Sequence, residues 1–168
     1  MTIVLSQKGW IRAGKGHELA PAALSYRDGD ALLDFFRGRS TLNIAVLDNT
    51  GRSYSSLTHT LPSARGNGEP LSGRFTPPAG AQFVGLASGE TTQKFIVSSN
   101  YGYGFITSFE NFLGIKKAGK QLINPDKNAS ILPPCALHDA ATDFVVVISS
   151  GGNLLAFPAN ELPELDKG

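Results

Sequence analysis

A chain of 168 residues is long enough for one substantial core, and its single cysteine, Cys135, excludes an internal disulfide framework and suits a reducing cytoplasm. No apolar run approaches the roughly 20 residues of a membrane span. Lys8 and Arg12 interrupt the apolar start that a signal peptide would need, which leaves the sequon Asn128-Ala129-Ser130 without a purpose. The formal net charge of +1 conceals an uneven division: residues 139–168 hold five acids and one base, so the residues before them carry fourteen bases less nine acids, a balance of +5.

Thr2 to Leu5 and Trp10 to Ala13 read as the strands of a hairpin with Lys8-Gly9 at its tip, Trp10 and Ile11 being packing residues. A basic connector follows, Arg12-Ala13-Gly14-Lys15-Gly16-His17. ALLDFF (31–36) could make a short helix, but Gly29 before it and Gly38 after it favour a strand. Asn43 to Leu47 and Arg52 to Leu57 form a second hairpin around Asn49-Thr50-Gly51. Leu61-Pro62 stops it, residues 63–68 are basic, glycine-rich and flexible, and Glu69 to Phe75 resumes as a strand before Pro77-Pro78. Gln82 to Ala87, Lys94 to Ser98 and Tyr103 to Ser108 make a third unit. Phe109 to Gly114 is then one helical turn leading to Lys116-Lys117-Ala118-Gly119-Lys120. Ser130 to Leu132, Ala136-Leu137, Phe144 to Ile148 and Leu154 to Phe157 begin a fourth unit. Pro158 to Leu165 ends in a short turn, and Lys167-Gly168 reads as a cut inside a longer array.

These units repeat. Val4, Val46, Val97 and Val147 each precede a glycine (Gly9, Gly51, Gly102, Gly152) by five positions, in the turns LSQKGW, LDNTGR, SSNYGY and ISSGGN. The connectors Lys15-Gly16, Arg65-Gly66, Lys117-Ala118-Gly119 and Lys167-Gly168 recur with them at spacings of 50, 53 and 49 residues (16 to 66, 66 to 119, 119 to 168). A period of that size marks a propeller, solenoid or array. The approximate repeats are 1–41, 42–92, 93–142 and a partial 143–168 within one domain, mostly antiparallel β.

Catalysis finds little support. His17, His59 and His138 lie far apart without metal-ligand spacing, Cys135 has no cysteine partner, and neither Ser63 nor Ser150 sits in a nucleophile elbow. Gly66-Asn67-Gly68 lacks the lysine and hydroxyl ending of a phosphate loop. Basic residues instead gather where the repeats end: Arg12 with Lys15, Arg65 near Arg74, and Lys116-Lys117 with Lys120. A row of cations on equivalent connectors suits a polyanion with a regular backbone, such as duplex DNA. A propeller-like protein-interaction module, its connectors merely solvated, is the alternative.

The segments TIVLSQKGWIRAGKGHE (2–18), DNTGRSYSSLTHTLPSARGNGEPLSG (48–73), YGYGF (101–105) and KAGK (117–120) closely resemble the C-terminal domain of the bacterial topoisomerase IV A subunit (ParC) and, more distantly, that of the DNA gyrase A subunit. The resemblance covers essentially the whole chain. It implies an all-β fold, a β-pinwheel of four-stranded blades of about 50 residues that exchange strands with their neighbours. It also implies a basic outer rim that binds and bends DNA, so that the enzyme can choose among supercoiled, knotted and catenated substrates. Arg12, Lys15, Arg65, Arg74, Lys116, Lys117 and Lys120 are the rim candidates. The expected partners are duplex DNA, the remainder of the A subunit and, through it, the B subunit, in the cytoplasm and away from membranes.

The DNA-cleaving tyrosine belongs to the N-terminal region of such a subunit. Tyr26, Tyr54, Tyr101 and Tyr103 read as strand or turn residues, and no catalytic residue, metal or cofactor is expected here. The gyrase wrapping motif, Gln-Arg-Arg-Gly-Gly-Lys-Gly, laid on Trp10 to Gly16 keeps Arg12, Gly14, Lys15 and Gly16 but loses its polar first pair to Trp10 and Ile11 and a glycine to Ala13. That degenerate form implies modest bending without a full wrap.

Overall fold

The computed structural model describes every residue from Met1 to Gly168. In chain order the strands are β1 (Thr2–Ser6), β2 (Trp10–Gly14), β3 (Leu32–Arg37), β4 (Asn43–Asp48), β5 (Arg52–Leu57), β6 (Glu69–Pro70), β7 (Phe83–Ser88), β8 (Lys94–Ser98), β9 (Gly104–Ser108), β10 (Lys120–Gln121), β11 (Cys135–Ala136), β12 (Phe144–Ile148) and β13 (Leu154–Pro158). The remaining regular structure is one-turn 3-10 segments, among them Phe109–Phe112 and Ala159–Glu161. ALLDFF is strand β3, the choice its flanking glycines favour.

The four glycine turns are built alike. Gly9, Gly51, Gly102 and Gly152 have φ of 77°, 84°, 87° and 82°, the left-handed region that a side chain resists. Each donates its N–H to the carbonyl three residues earlier (Ser6, Asp48, Ser99, Ser149) at 3.0–3.1 Å. The same residue's side chain caps the turn in three of them: Ser6 Oγ, Asp48 Oδ1 and Ser149 Oγ accept the N–H of Trp10, Arg52 and Asn153 at 3.0–3.1 Å. A short oxygen-bearing side chain at the end of the first strand and a glycine three residues on therefore close each hairpin locally.

Sheet order departs from chain order in one systematic way. The sheets run β3-β1-β2-β6, β10-β5-β4-β7, β11-β8-β9 and β12-β13. In the first two, a hairpin is flanked on one side by its own return strand and on the other by a short strand from the following repeat. The third sheet receives the same contribution as a single bridge, Ile106 to Glu164, with Ile106 N–H donating to Pro163 O at 2.8 Å and Leu165 N–H to Ile106 O at 2.9 Å. The first sheet has the matching pair, Ala13 N–H to Pro62 O at 2.8 Å and Ala64 N–H to Ala13 O at 3.0 Å. Covering the outer edges of these three blades with a neighbour's segment removes the open edge that invites aggregation. This is the strand-exchanged β-pinwheel.

Two of the sequence boundaries move. Only Glu69–Pro70 pairs as a strand; Leu71–Gly73 turns as a 3-10 segment that buries Leu71. Residues 130–137 do not open a fourth unit. Ile131 bridges to Ser99 and β11 pairs with β8, so they complete the third blade. Both shifts arise because the edge strands are short and their pairing partners lie far away in sequence.

The blades pack face to face, and β4 shows why its apolar run is unbroken. Ile44 and Val46 point into a cluster with Ile3, Leu5, Ile11, Leu61 and Leu71, whereas Ala45 and Leu47 point into a second cluster with Phe95, Val97, Phe105, Phe109 and Phe112. A strand apolar on both faces is one buried on both faces. Each such aliphatic side chain contributes on the order of 1.5–3 kcal/mol by leaving water. The β12-β13 hairpin has no such cover: Phe144 (67%), Ile148 (69%) and Leu154 (64%) are exposed.

The second hairpin also carries one buried polar knot. Asp48, fully buried, accepts the Tyr54 hydroxyl through Oδ2 at 2.7 Å, while its Oδ1 accepts Thr50 N–H, Thr50 Oγ1–H and Arg52 N–H. Burial, reinforced by the Asp48 carboxylate, pushes the Tyr54 phenol well above its ordinary pKa.

The turn and the knot each set a measurable difference in stability. A Cβ on Gly51 would lie 2.0 Å from Ile123 O, whereas one on Gly102, at a similar φ, meets nothing within 4 Å. In urea unfolding, G102A should therefore cost only the left-handed strain of about 1–2 kcal/mol, and G51A clearly more. Y54F should cost about 1–3 kcal/mol at pH 7 by leaving the buried Asp48 oxygen unpaired. A raised folded pKa stabilises only while the unfolded phenol also keeps its proton. The gap between wild type and Y54F should therefore shrink as pH rises past about 10.

Candidate nucleic-acid interface

The strands passed between repeats carry the basic connectors, so strand exchange decides where the cations sit. Residues 61–70 leave the second hairpin, run along β2 and end as β6; residues 113–121 leave the third, run along β5 and end as β10. In each, a glycine lies against the same place on the edge strand beneath. A Cβ on Gly68 would be 3.0 Å from Arg12 Cβ, one on Gly119 2.6 Å from the Tyr54 ring, and one on Gly168 2.3 Å from the Phe105 ring. The structural register of the connectors is therefore Gly68, Gly119 and Gly168. The Lys15-Gly16 pair belongs elsewhere, at the end of β2.

Lys15, Arg65, Lys116, Lys117 and Lys120 are exposed. None has a carboxylate within 4.0 Å, a side-chain hydrogen bond or an aromatic ring beneath it; among the other lysines and arginines only Lys127 and Lys167 share that state. Lys15 and Arg65 line the same groove of about 520 Å³ between the end of β2 and the 61–65 segment. Lys116, Lys117 and Lys120 stand together on the segment that covers β5. Unpaired and solvated, these ammonium and guanidinium groups present a positive surface at modest desolvation cost.

Arg12 and Arg74 are placed differently. Arg12 is 4% exposed; Nη1 donates to Gly66 O at 2.9 Å, Nη2 to Ser25 O at 2.7 Å, and its guanidinium stacks 4.9 Å from the Tyr26 ring centre. Arg74 pairs with Glu69 and donates to Thr60 Oγ1 at 3.1 Å and Ser56 Oγ at 3.3 Å. Both guanidinium groups are engaged by the fold's own acceptors, Arg12 buried and Arg74 partly exposed. Sequence reasoning took both as rim cations: the partners of Arg12 are main-chain carbonyls, which leave no charge pattern to read, and the pairing of Arg74 with Glu69, five residues earlier, was passed over. It passed over Arg52, whose Nη1 donates to Ala118 O at 3.1 Å and ties down the lysine-bearing segment.

No group of three or more His, Cys, Asp or Glu side chains is placed to hold a metal ion. His17 faces Gly38 O at 3.3 Å, and Cys135 is exposed and unbridged. No helix of the chain is long and apolar enough to cross a membrane.

Strand-exchanged blades of this kind define a class, the β-pinwheel domains, here with unpaired cations at the edges of the first two blades. The comparisons with known proteins narrow it. The C-terminal domain of Escherichia coli ParC superposes with a TM-score of 0.90 at 42% identity, over 99% of this chain and 68% of that domain. The topoisomerase IV A subunits of Pseudomonas aeruginosa and Escherichia coli are each 42% identical over all 168 residues. A DNA gyrase A C-terminal domain shares the fold alone, with a TM-score of 0.69 at 13% identity. No family profile matches the chain. The chain belongs to the family of C-terminal domains of topoisomerase IV A subunits. It spans 22% of the length of the curated relatives it matches, and that part is a non-catalytic domain of a type II topoisomerase.

Proposed function

We propose that this chain binds duplex DNA along the outer edges of its blades, with little sequence preference, and bends it modestly so that the topoisomerase can distinguish supercoiled, knotted and catenated substrates. The remainder of the A subunit and, through it, the B subunit are the protein partners, in the cytoplasm. The observation that carries this reading is the placement of Lys15 at the end of β2 and of Arg65, Lys116, Lys117 and Lys120 on the connectors, all exposed and without carboxylate partners, at the edges of adjacent blades. Phosphates spaced regularly along a duplex match such a row, and each neutralised phosphate releases a counterion. Base edges are not addressed, because the row offers cations and no set of directed donors and acceptors.

Fluorescence anisotropy against salt concentration tests the reading. Affinity for duplex DNA should fall with salt at a log–log slope of about −0.9 per phosphate contacted, hence about −4 to −5 for five contacts. Replacing the five cations together by glutamate should abolish measurable binding at physiological salt. The same change at Arg27, Arg37 and Arg39 should cost far less. Equal losses from the two sets would mean that net charge, with no particular edge, does the binding. Absence of binding by the wild-type chain would favour a protein-interaction module.

Bending 20–30 base pairs through 40–90° costs on the order of 1–6 kcal/mol, which phosphate contacts along an arc must offset. Here the contacts cluster on the first two blade edges, while residues 139–168 carry five acids and one base. Religation of a nicked circle in the presence of the chain should accordingly shift the linking-number distribution only slightly. A large stoichiometric shift of one sign would demonstrate a full wrap.

A further inference from the structure

We propose that Arg12 is a positioning residue, a buried clamp that holds the Arg65 loop in place for phosphate contact, and not a phosphate ligand itself. The inference rests on the DNA-binding reading above for its consequence, but the clamp stands on geometry. Cross-strand register assigns the position: Arg12 faces Val4 as Tyr54 faces Val46, Phe105 faces Val97 and Leu155 faces Val147. Three of four repeats thus place an apolar or aromatic side chain there, so packing requires no charge. A guanidinium buried without a carboxylate is costly to desolvate, and none lies within 4.0 Å of Arg12.

Its hydrogen bonds say what offsets that cost. The two arms reach carbonyls on different segments, Gly66 O in the loop from the second repeat and Ser25 O in the first repeat's own return segment, and the plane rests on Tyr26. Gly66 directly follows Arg65, and Ala64 on its other side is pinned to Ala13 O at 3.0 Å. Arg65 therefore stands between two anchors, one from the backbone of β2 and one from the Arg12 side chain. The second blade answers with Arg52 to Ala118 O, beside Lys117. Only a planar fork with several fixed donors spans two carbonyls; a lysine ammonium at the end of a flexible stem does not.

The experiment compares R12K, R12M, R65Q and the double variant R12K/R65Q in two measurements. In amide hydrogen exchange without DNA, R12K and R12M should speed exchange at Ala64 and Gly66 by about ten-fold or more, while the β4 amides of Ala45 and Val46 keep their protection and so report an intact fold. In duplex binding, R12K should lower the salt slope by about 0.9, as R65Q does, and the double variant should lower it by about 0.9 and not by about 1.8. The proposal is overturned if R12K exchanges and binds like the wild type, which would make charge alone sufficient. It is equally overturned if the two single losses add, which would make Arg12 a phosphate contact in its own right. A wild-type chain that binds no duplex would refute the DNA reading, and the exchange rates would still decide the clamp.

Discussion

Backbone pairing between one repeat's connector and the preceding repeat's hairpin is the constraint on which the rest of this structure depends. A two-stranded hairpin is at best marginal alone in water. Where the lent strand arrives, as β6 on β2 or β10 on β5, the edge is sealed and the blade becomes a four-stranded sheet with two faces to bury. The same event delivers the connector to the outside of the molecule. Cations carried by that connector have no choice but to line the blade edges.

Burial on both faces then makes the middle blade rigid. β4 divides its side chains between two clusters by simple alternation, and a shift of one residue would exchange them, putting Ile44 where Ala45 fits and the reverse. The buried Asp48 reinforces that register, since its carboxylate serves the turn through one oxygen and Tyr54 through the other. A stack of equivalent blades repeats such positions at regular spacing.

The differences among equivalent positions carry the specialisation. Arg12, Tyr54 and Phe105 occupy one place in three blades and lie under Gly68, Gly119 and Gly168. The aromatic versions hold the passing strand by contact, whereas the arginine version adds one directed hydrogen bond to it, at Gly66 O, and a second to its own repeat at Ser25 O. The loop so tied is the one that brings Arg65 beside Lys15.

By itself the sequence determined everything local. The four turns are legible because glycine at positive φ and an oxygen side chain three residues earlier act within one hairpin, and β4 is legible because double burial demands an unbroken apolar run. The candidates Lys15, Arg65, Lys116, Lys117 and Lys120 were legible as cations on connectors, and family membership was legible in LPSARGNGEPL. What only the tertiary structure decided was which strand pairs with which. That is why residues 130–137 completed the third blade, why the connector register falls on Gly68 and not Gly66, why Arg12 turned inward and why Arg74 folded back onto Thr60 and Ser56. Apart from the pairing of Arg74 with Glu69, the physical reason is the same: the partner is a main-chain carbonyl, hydroxyl or edge strand at least thirteen residues away. Such groups are nearly alike at every position of a chain and acquire meaning only when the fold brings one of them within about 3 Å.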